Sequence, residues 1–283
     1  MKTWCRLIFA AVVISLGFAG QSYAGEHYHV FILAGQSNMD GRGKVADLDA
    51  DWKKPQDDVR FYYGSNASTS GGWIPLQPGY SVPPNYKGEL PSPTFGPELS
   101  FGRAMAAAMK GKKVALIKYA VGGTNLNKQW DPQAPGPQYA NFLKTLKASL
   151  AALKKEGATY EVDGMVWHQG ESDASLSAED YQKKLEAFIQ AVRAELKAPE
   201  LPFVIGELFN NGQEGITRIR TAQEAAAKAT PHTAFVSSAH LTVLDKITHF
   251  DAASQLQFGQ RYADAMKSLM GGYPTTGPST SNR

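Results

Sequence analysis

The sequence predicts an α/β protein, built on a mainly parallel sheet with helices on both faces. Short, nearly continuous apolar segments alternate along the chain with longer amphipathic ones. Continuous apolar strands are typical of parallel sheets that are covered on both sides. Regular alternation of strands and helices is the signature of such a sheet. Right-handed crossovers then bring the carboxyl ends of all the strands to one edge, where ligands bind.

Five segments have strand character, namely 28–34, 114–120, 162–167, 202–208 and 234–238. The loops expected to carry function follow these strands and begin at Gly35, Val121, His168, Phe209 and Ala239.

The clearest helix is predicted over 177–197, where apolar residues recur every three or four positions. Ser177 with Asp180 is a start signal for it. Further helices are predicted around 104–109, beginning near Gly96-Pro97, and over 139–155, 217–228 and 251–270.

The chain of 283 residues begins with the features of a secretory signal peptide, predicted over 1–24. Lys2 and Arg6 precede the apolar segment 7–19, and small residues stand at the −3 and −1 positions of a cleavage site after Ala24. A retained membrane anchor is the alternative. The apolar segment is shorter than the roughly 20 residues that a span requires. We therefore expect a secreted or periplasmic protein that does not bind membranes once the signal is removed.

The remainder is predicted to be a single domain over 25–270, followed by a disordered tail over 271–283. Residues 61–97 are rich in Gly, Pro, Ser and Tyr and have no clear periodicity. Irregular segments of this length are usually functional or disordered. We interpret 61–97 as a long loop insertion near the active edge of the sheet.

Composition excludes several classes of protein. Without Lys2 and Arg6, 27 basic residues remain against 26 acidic ones, so no charge excess points to nucleic acid. The only cysteine, Cys5, lies within the predicted signal, which leaves no thiol nucleophile or disulfide. No contiguous metal-binding or dinucleotide-binding motif is present. We therefore expect neither a metal site nor a cofactor.

Ser37 is the candidate nucleophile because it follows the first strand directly, in Gly35-Gln36-Ser37-Asn38-Met39. A tight turn after a strand lifts a hydroxyl above the sheet edge, and a following helix directs backbone N–H groups at the same point. Ser37 as a plain helix cap remains the alternative. The motif lacks the final glycine of Gly-x-Ser-x-Gly, which argues against an ordinary α/β-hydrolase.

A nucleophilic serine needs a general base, and His249 is one of six histidines in the chain. It precedes the last predicted helix, at the same sheet edge as Ser37. Gly122-Gly123 and Gln169 follow other strands at that edge and offer backbone and side-chain N–H groups. Glycines let the backbone approach a developing oxyanion, although a plain tight turn explains them equally well.

Taken together, these blocks resemble one family. The sequence contains Gly35-Gln36-Ser37-Asn38-Met39, Gly122-Gly123-Thr124, His168-Gln169-Gly170-Glu171-Ser172-Asp173 and Asp245…His249-Phe250, in that order. Phe95-Gly96-Pro97-Glu98-Leu99 and Phe258-Gly259-Gln260-Arg261-Tyr262-Ala263 add to the likeness. The set is similar to the sialate O-acetylesterase-like branch of SGNH hydrolases, which includes carbohydrate esterase family 6 and its acetylxylan esterases.

The resemblance implies a flavodoxin-like three-layer α/β/α fold and a serine esterase. It implies Ser37 as nucleophile and His249 as base. The oxyanion hole would consist of the backbone N–H groups of Ser37 and Gly123 with the side chain of Gln169, and Glu171 would support the site.

One departure concerns the triad acid. The family usually spaces this acid and its histidine as Asp-x-x-His, whereas Asp245 precedes His249 with three residues between them. Either the loop bulges and Asp245 keeps the role, or a backbone carbonyl or another acid steadies His249.

The expected function is removal of O-acetyl groups from carbohydrate, with acetylated xylan first and O-acetylated sialic acid second. A non-catalytic carbohydrate-binding relative is the alternative of another class. Aromatic residues that could form a sugar-stacking rim are Tyr62, Tyr63, Trp73, Tyr80, Tyr86 and Trp130, although they could equally pack their own loops.

Overall fold

A seven-stranded sheet forms the centre of the chain in this computed structural model, which describes residues 25–66, 68–81 and 93–271. In chain order the strands are β1 (His27–Gly35), β2 (Gly43–Lys44), β3 (Gln56–Gly64), β4 (Ile74–Leu76), β5 (Thr94–Phe95), β6 (Lys113–Ala120), β7 (Thr159–His168), β8 (Phe203–Gly206) and β9 (Thr233–Val236). The large sheet has the order β4-β3-β6-β1-β7-β8-β9, while β2 and β5 form a separate antiparallel ribbon. Within the large sheet, β3 and β4 are antiparallel and the other neighbours are parallel.

Both faces of this sheet are buried, as the central strand β1 shows. Val30 and Ile32 belong to one hydrophobic cluster, and Phe31 and Leu33 to another on the opposite face. The helices are α1 (Ser37–Asp40), α2 (Glu98–Ala108), α3 (Pro137–Lys155), α4 (Ala178–Leu196), α5 (Glu214–Ala229) and α6 (Ala252–Met270). Helices α3, α4 and α5 contribute to the first cluster, and α2 and α6 to the second. The predicted three-layer α/β/α architecture is confirmed.

The prediction of an irregular segment over 61–97 is wrong at its start, because residues 61–64 complete strand β3. This strand pairs in parallel with β6, from Val59 opposite Val114 to Gly64 opposite Tyr119. It lies next to the short edge strand β4, and its burial alternates instead of being continuous. Alternating burial does not produce the unbroken apolar run that predicts a buried parallel strand, so the sequence did not predict β3. Strands β4 and β5 also lie in this segment, while residues 67 and 82–92 are outside the described residues.

The predicted signal peptide, 1–24, and residues 272–283 of the predicted tail lie outside the described residues. Within the part that the structure describes, no helix combines the length and apolar character needed to cross a bilayer.

Candidate active site

Ser37 lies at the carboxyl end of the central strand, where the chain leaves β1 in a tight turn. Gly35 has a φ of +151°, and a Cβ there would lie 2.0 Å from the carbonyl oxygen of His168 on the neighbouring strand. Only glycine fits this close approach. The N–H of Gln36 donates to the same carbonyl at 3.0 Å, and α1 then begins at Ser37. The backbone N–H of Ser37 is thus in the first turn of a helix, where N–H groups have no acceptor within the helix.

The structure brings Ser37, His249 and Asp245 into one line of hydrogen bonds. His249 Nε2 lies 3.1 Å from Ser37 Oγ. His249 Nδ1 lies 2.6 Å from Asp245 Oδ2. An ionised Asp245 accepts a hydrogen bond from the N–H at Nδ1, which leaves the unprotonated Nε2 as the acceptor that faces the serine hydroxyl. The arrangement is that of a nucleophile, a base and a group that orients the base.

The loop before His249 shows how an acid spaced Asp-x-x-x-His reaches the imidazole. Asp245 Oδ1 accepts hydrogen bonds from the backbone N–H groups of Ile247 (3.0 Å), Thr248 (2.7 Å) and His249 (3.0 Å). Lys246 has a φ of +65°, so the loop absorbs its additional residue in a left-handed turn. Of the two readings that the spacing left open, the geometry has Asp245 in contact with His249.

The pKa of Asp245 is held at about 2 by this loop. Burial would raise the pKa, but the three backbone N–H groups and His249 together outweigh it. Asp245 is therefore ionised at neutral pH, as the hydrogen bond to Nδ1 requires.

Asn38 joins the nucleophile to the loop of the base, and the sequence analysis gave it no role. Its Nδ2 donates to the carbonyl oxygen of Thr248 at 3.0 Å, and its Oδ1 accepts from the N–H of Phe250 at 3.1 Å. It thus holds the residues on both sides of His249. The same Nδ2 donates to Glu171 Oε1 at 2.8 Å. The position of Asn38 within the Gln-Ser-Asn-Met block was the only signal for this function.

Glu171 and His168 form a buried pair beneath the site. Burial raises the pKa of Glu171 to about 7 and lowers the pKa of His168 to about 3. His168 Nδ1 lies 2.7 Å from the hydroxyl of Tyr262, and its Nε2 lies 3.8 Å from Glu171 Oε1. The structure places Glu171, predicted as a supporting residue, in contact with Asn38, the neighbour of Ser37.

The far end of α1 is anchored by a buried lysine. Lys118 Nζ donates to the carbonyl oxygen of Asp40 at 2.5 Å and to Glu98 Oε2 at 2.7 Å. Lys118 is fully buried and Glu98 is 2% exposed. A cation suits the carboxyl end of a helix, and a buried charge needs such partners. Glu98 belongs to the Phe-Gly-Pro-Glu-Leu block, whose role the sequence did not reveal.

The glycine loop after β6 is exposed at Gly123, whose φ of +72° favours glycine. Its other end is fixed by Asp173, which accepts from the N–H groups of Leu126 (2.7 Å) and Asn127 (3.0 Å). Asp173 thus anchors this loop, while the role of the Gly123 N–H in the oxyanion hole stays a prediction.

Gln169 is fully buried beside this loop. Its Nε2 donates to Asp173 Oδ2 (2.6 Å), the carbonyl oxygen of Thr124 (3.0 Å) and Gln36 Oε1 (3.2 Å). Two amide hydrogens are thus shared among three acceptors. The structure assigns Gln169 the task of tying the glycine loop to β7, while its place in the oxyanion hole stays a prediction.

The predicted aromatic rim is wrong for two of its members. Tyr63 and Trp130 are fully buried, and each has an internal partner: Tyr63 donates to Asp40 at 2.6 Å, and Trp130 donates to Thr124 at 2.8 Å. Trp73 donates to the carbonyl of Ser149 on α3. Tyr63 and Trp130 thus belong to the two hydrophobic clusters of the core, and Trp73 packs against the cluster that contains Trp130. Tyr86 lies outside the described residues.

Among the described residues, the one set of histidines and carboxylates close enough to hold a metal ion is His27, His29 and Glu161. These residues lie on β1 and β7, away from the carboxyl ends of the strands.

Fold and site together define an SGNH-type hydrolase, with a three-layer α/β/α architecture and a serine at the carboxyl edge of its sheet. The chain belongs to the carbohydrate esterase family described as sialic acid-specific acetylesterase, whose sequence model matches residues 27–268. Family membership confirms the resemblance and the prediction of an enzyme, a carboxylic ester hydrolase. It also supports carbohydrate acetylesterase activity at the level of the family.

Individual relatives agree with this assignment. The chain is 26% identical over 246 residues to a probable carbohydrate esterase of Arabidopsis thaliana, covering 83% of this chain and 89% of the relative.

Solved structures show the same fold. An Arabidopsis thaliana protein superposes with a TM-score of 0.69 at 24% identity, over 85% of this chain and 98% of the other. A carbohydrate acetylesterase of Xanthomonas citri gives a TM-score of 0.62 at 18% identity, over 86% of this chain and 56% of the other. NanS gives 0.61 at 15% identity, over 86% and 97%.

Proposed function

We propose that this chain is an exported carbohydrate O-acetylesterase in which Ser37 is the nucleophile, His249 the general base and Asp245 the acid that orients the base. The observation that carries the proposal is the continuous contact from Asp245 through both ring nitrogens of His249 to Ser37 Oγ, at 2.6 Å and 3.1 Å. Asp245 holds a charge next to Nδ1 and so stabilises the imidazolium that forms when His249 takes the serine proton.

In the first half-reaction, Ser37 Oγ attacks the acetyl carbonyl and His249 Nε2 accepts its proton. The backbone N–H groups of Ser37 and Gly123 stabilise the oxyanion. Gln169 adds a third donor if it exchanges one of its internal acceptors for the oxyanion. His249 then protonates the departing sugar hydroxyl, and water hydrolyses the acetyl-enzyme by the same route.

The proposal has two candidate substrates. Acetylated xylan comes first from the sequence analysis, although the loss of Tyr63 and Trp130 from the rim removes part of its support. O-acetylated sialic acid is second on the sequence alone. The description of the family as sialic acid-specific acetylesterase favours it.

The decisive experiment compares wild type, Ser37→Ala and Ser175→Ala. Ser175 is an exposed serine outside the hydrogen-bonded array, so its variant is a matched control. Acetate release is measured from acetylated xylan, from O-acetylated sialic acid and from a small aryl acetate. We expect Ser37→Ala to lose about 10⁴-fold or more in kcat and the control to match wild type. Wild-type rates in Ser37→Ala would exclude Ser37 as the nucleophile.

The non-catalytic alternative rested on the irregular Asp245–His249 spacing, and the contact between these residues removes that support. A fluorophosphonate probe tests it independently, because only an activated serine is labelled. Export is tested separately, by locating the protein after expression from its full sequence. Retention in the cytoplasm would refute export and leave the esterase assignment unaffected.

A further inference from the structure

A second cluster of reactive side chains lies on β1 and β7, remote from Ser37. His27 and His29 are two residues apart on β1, and Glu161 stands directly opposite His29 on the parallel strand β7. Side chains two apart on a strand point to the same face. The pairing register shifts after Val30, and Asp163 also contacts His29. Two histidines and two carboxylates are thus collected on one face of two neighbouring strands.

Two carboxylates converge on a single imidazole nitrogen. His29 Nδ1 lies 2.7 Å from Glu161 Oε1 and 2.7 Å from Asp163 Oδ2. A ring nitrogen carries at most one hydrogen, so it cannot give both carboxylates a full hydrogen bond. A divalent cation at this point would satisfy both carboxylates and the nitrogen lone pair.

The second imidazole is oriented toward the same point. His27 Nδ1 lies 2.8 Å from Thr159 Oγ1, which fixes the ring and leaves Nε2 facing Glu161 Oε1 at 3.8 Å. Histidine ligands of metals are typically held in this way through their other nitrogen. The candidate ligand atoms of His27, His29 and Glu161 all lie within 4.8 Å of one another. Ligand atoms about 2.0–2.2 Å from one tetrahedral ion are roughly 3.3–3.6 Å apart, so the two carboxylate oxygens at 2.7 Å from His29 Nδ1 would move outward by less than about 1 Å to admit the ion.

We propose that His27 Nε2, His29 Nδ1, Glu161 and Asp163 form a binding site for a first-row divalent transition metal, with Zn²⁺ as its natural probe. Imidazole nitrogen with carboxylate oxygen suits Zn²⁺, whereas Mg²⁺ and Ca²⁺ prefer oxygen alone. The sequence predicted no metal site because it contains no contiguous metal-binding motif, whereas this set is assembled from two strands.

The four proposed ligands range from nearly buried to half-exposed, which suits a metal site that an ion can enter from solvent. The side chains of His29 and Asp163 are 9% and 10% exposed, while those of His27 and Glu161 are 48% and 54% exposed. The inner ligands are shielded from solvent, and the outer ones leave an entry path. His29, Glu161 and Asp163 line an open groove of about 680 Å³, through which a hydrated ion can approach.

A bound ion would link the beginning of β1 to β7 and would lie far from Ser37. His27 and Gly35 are the two ends of β1, so the metal and the serine lie roughly 26 Å apart at about 3.3 Å per residue. Binding to the folded state alone raises its stability by mass action.

The test measures Zn²⁺ binding by titration calorimetry on protein stripped with a chelator and free of a polyhistidine tag. Wild type, His29→Gln and Glu161→Gln are compared with His232→Gln as control. His232 has a single carboxylate, Glu200, at 3.9 Å. We expect one Zn²⁺ per chain in wild type and the control. Each site variant should bind at least tenfold more weakly.

Glu161→Gln changes an exposed side chain, so it remains informative if His29→Gln does not fold. Zn²⁺ should raise the Tm of wild type and the control but not of Glu161→Gln, with aryl acetate hydrolysis the same before and after loading. The proposal is overturned if wild type binds no Zn²⁺, if Glu161→Gln binds it equally well, or if Mg²⁺ binds as tightly.

Discussion

Asp245 serves two structural purposes at once, since one oxygen receives three backbone N–H groups and the other contacts His249. The two purposes can be separated experimentally. An asparagine keeps an oxygen that accepts the backbone hydrogen bonds, while it removes the charge next to the imidazole.

Asp245→Asn is therefore expected to leave the loop folded and to lower kcat by about 10²- to 10⁴-fold, because His249 loses the anion that fixes its tautomer and stabilises its protonated form. Hydrolysis of an aryl acetate measures the rate, and thermal unfolding reports the fold. Asp49→Asn, at an exposed loop position, is the control. A kcat equal to that of wild type would show that Asp245 does not act through His249.

The residues of the candidate site differ in how far their roles could be predicted from the sequence. Ser37 and His249 could be predicted because each stands beside a recognisable block at the end of a strand or the start of a helix. Asn38 could not be, since its partners Thr248 and Phe250 are 210 and 212 positions away and are contacted through backbone atoms. No residue type is required at either partner position, so no pattern records the contact.

At the scale of elements, helices α4 and α6 both begin with a side chain that accepts a hydrogen bond from a backbone N–H of the first turn, but they lie in different parts of the fold. Ser177 accepts from the N–H of Asp180 at 3.0 Å and caps α4, while Asp251 accepts from the N–H of Ser254 at 2.9 Å and caps α6. Only the second cap adjoins the loop of His249.

Removing each cap should therefore cost about 1 kcal/mol of stability, but with different effects on the reaction. Asp251→Ala is expected to lower kcat by roughly tenfold, because the frayed start of α6 no longer fixes His249. Ser177→Ala should leave kcat unchanged and is the matched control. Urea unfolding measures the stability and aryl acetate hydrolysis the rate. Equal rates in the two variants would mean that α6 does not position the base.

Strands and helices with strong patterns were predictable, and weakly patterned ones were not. The apolar segments 114–120 and 162–167 correspond to β6 and β7 because both faces of those strands are covered. Strand β3 begins with Gln56-Asp57-Asp58, of which the two aspartates are exposed. Its strand character comes from pairing with β6, a tertiary contact that local composition does not encode.

At the scale of the whole molecule, the buried pair His168 and Glu171 makes stability depend on pH in two opposing ways. The pKa of His168 falls from 6.5 to about 3, so its contribution is lost as the pH falls below 6.5. The pKa of Glu171 rises from 4.5 to about 7, so its contribution is full below pH 4.5 and is lost as the pH rises toward 7. Between pH 4.5 and 6.5 the two slopes, each about 1.4 kcal/mol per pH unit, have opposite signs.

A variant that lacks one member of the pair should reveal how the other member makes the free energy of unfolding depend on pH. In Glu171→Gln, the free energy of unfolding is expected to fall with acidification below pH 6.5, relative to wild type. In His168→Gln it is expected to rise. Urea unfolding at pH 6.5, 5.5 and 4.5 measures both. The same pH dependence in all three proteins would contradict the opposing contributions of this pair.

The hydrogen bonds between Asn38 and the loop of His249 also bear on when the enzyme first becomes active. In the proposed mechanism the nucleophile, Ser37, is synthesised 212 positions before the base, His249, and neither acts without the other. Until the loop of His249 has docked on Asn38, Ser37 has no base beside it. On that mechanism, activity reports that the carboxyl-terminal part of the chain has folded, and a chain truncated before His249 would be inert toward esters.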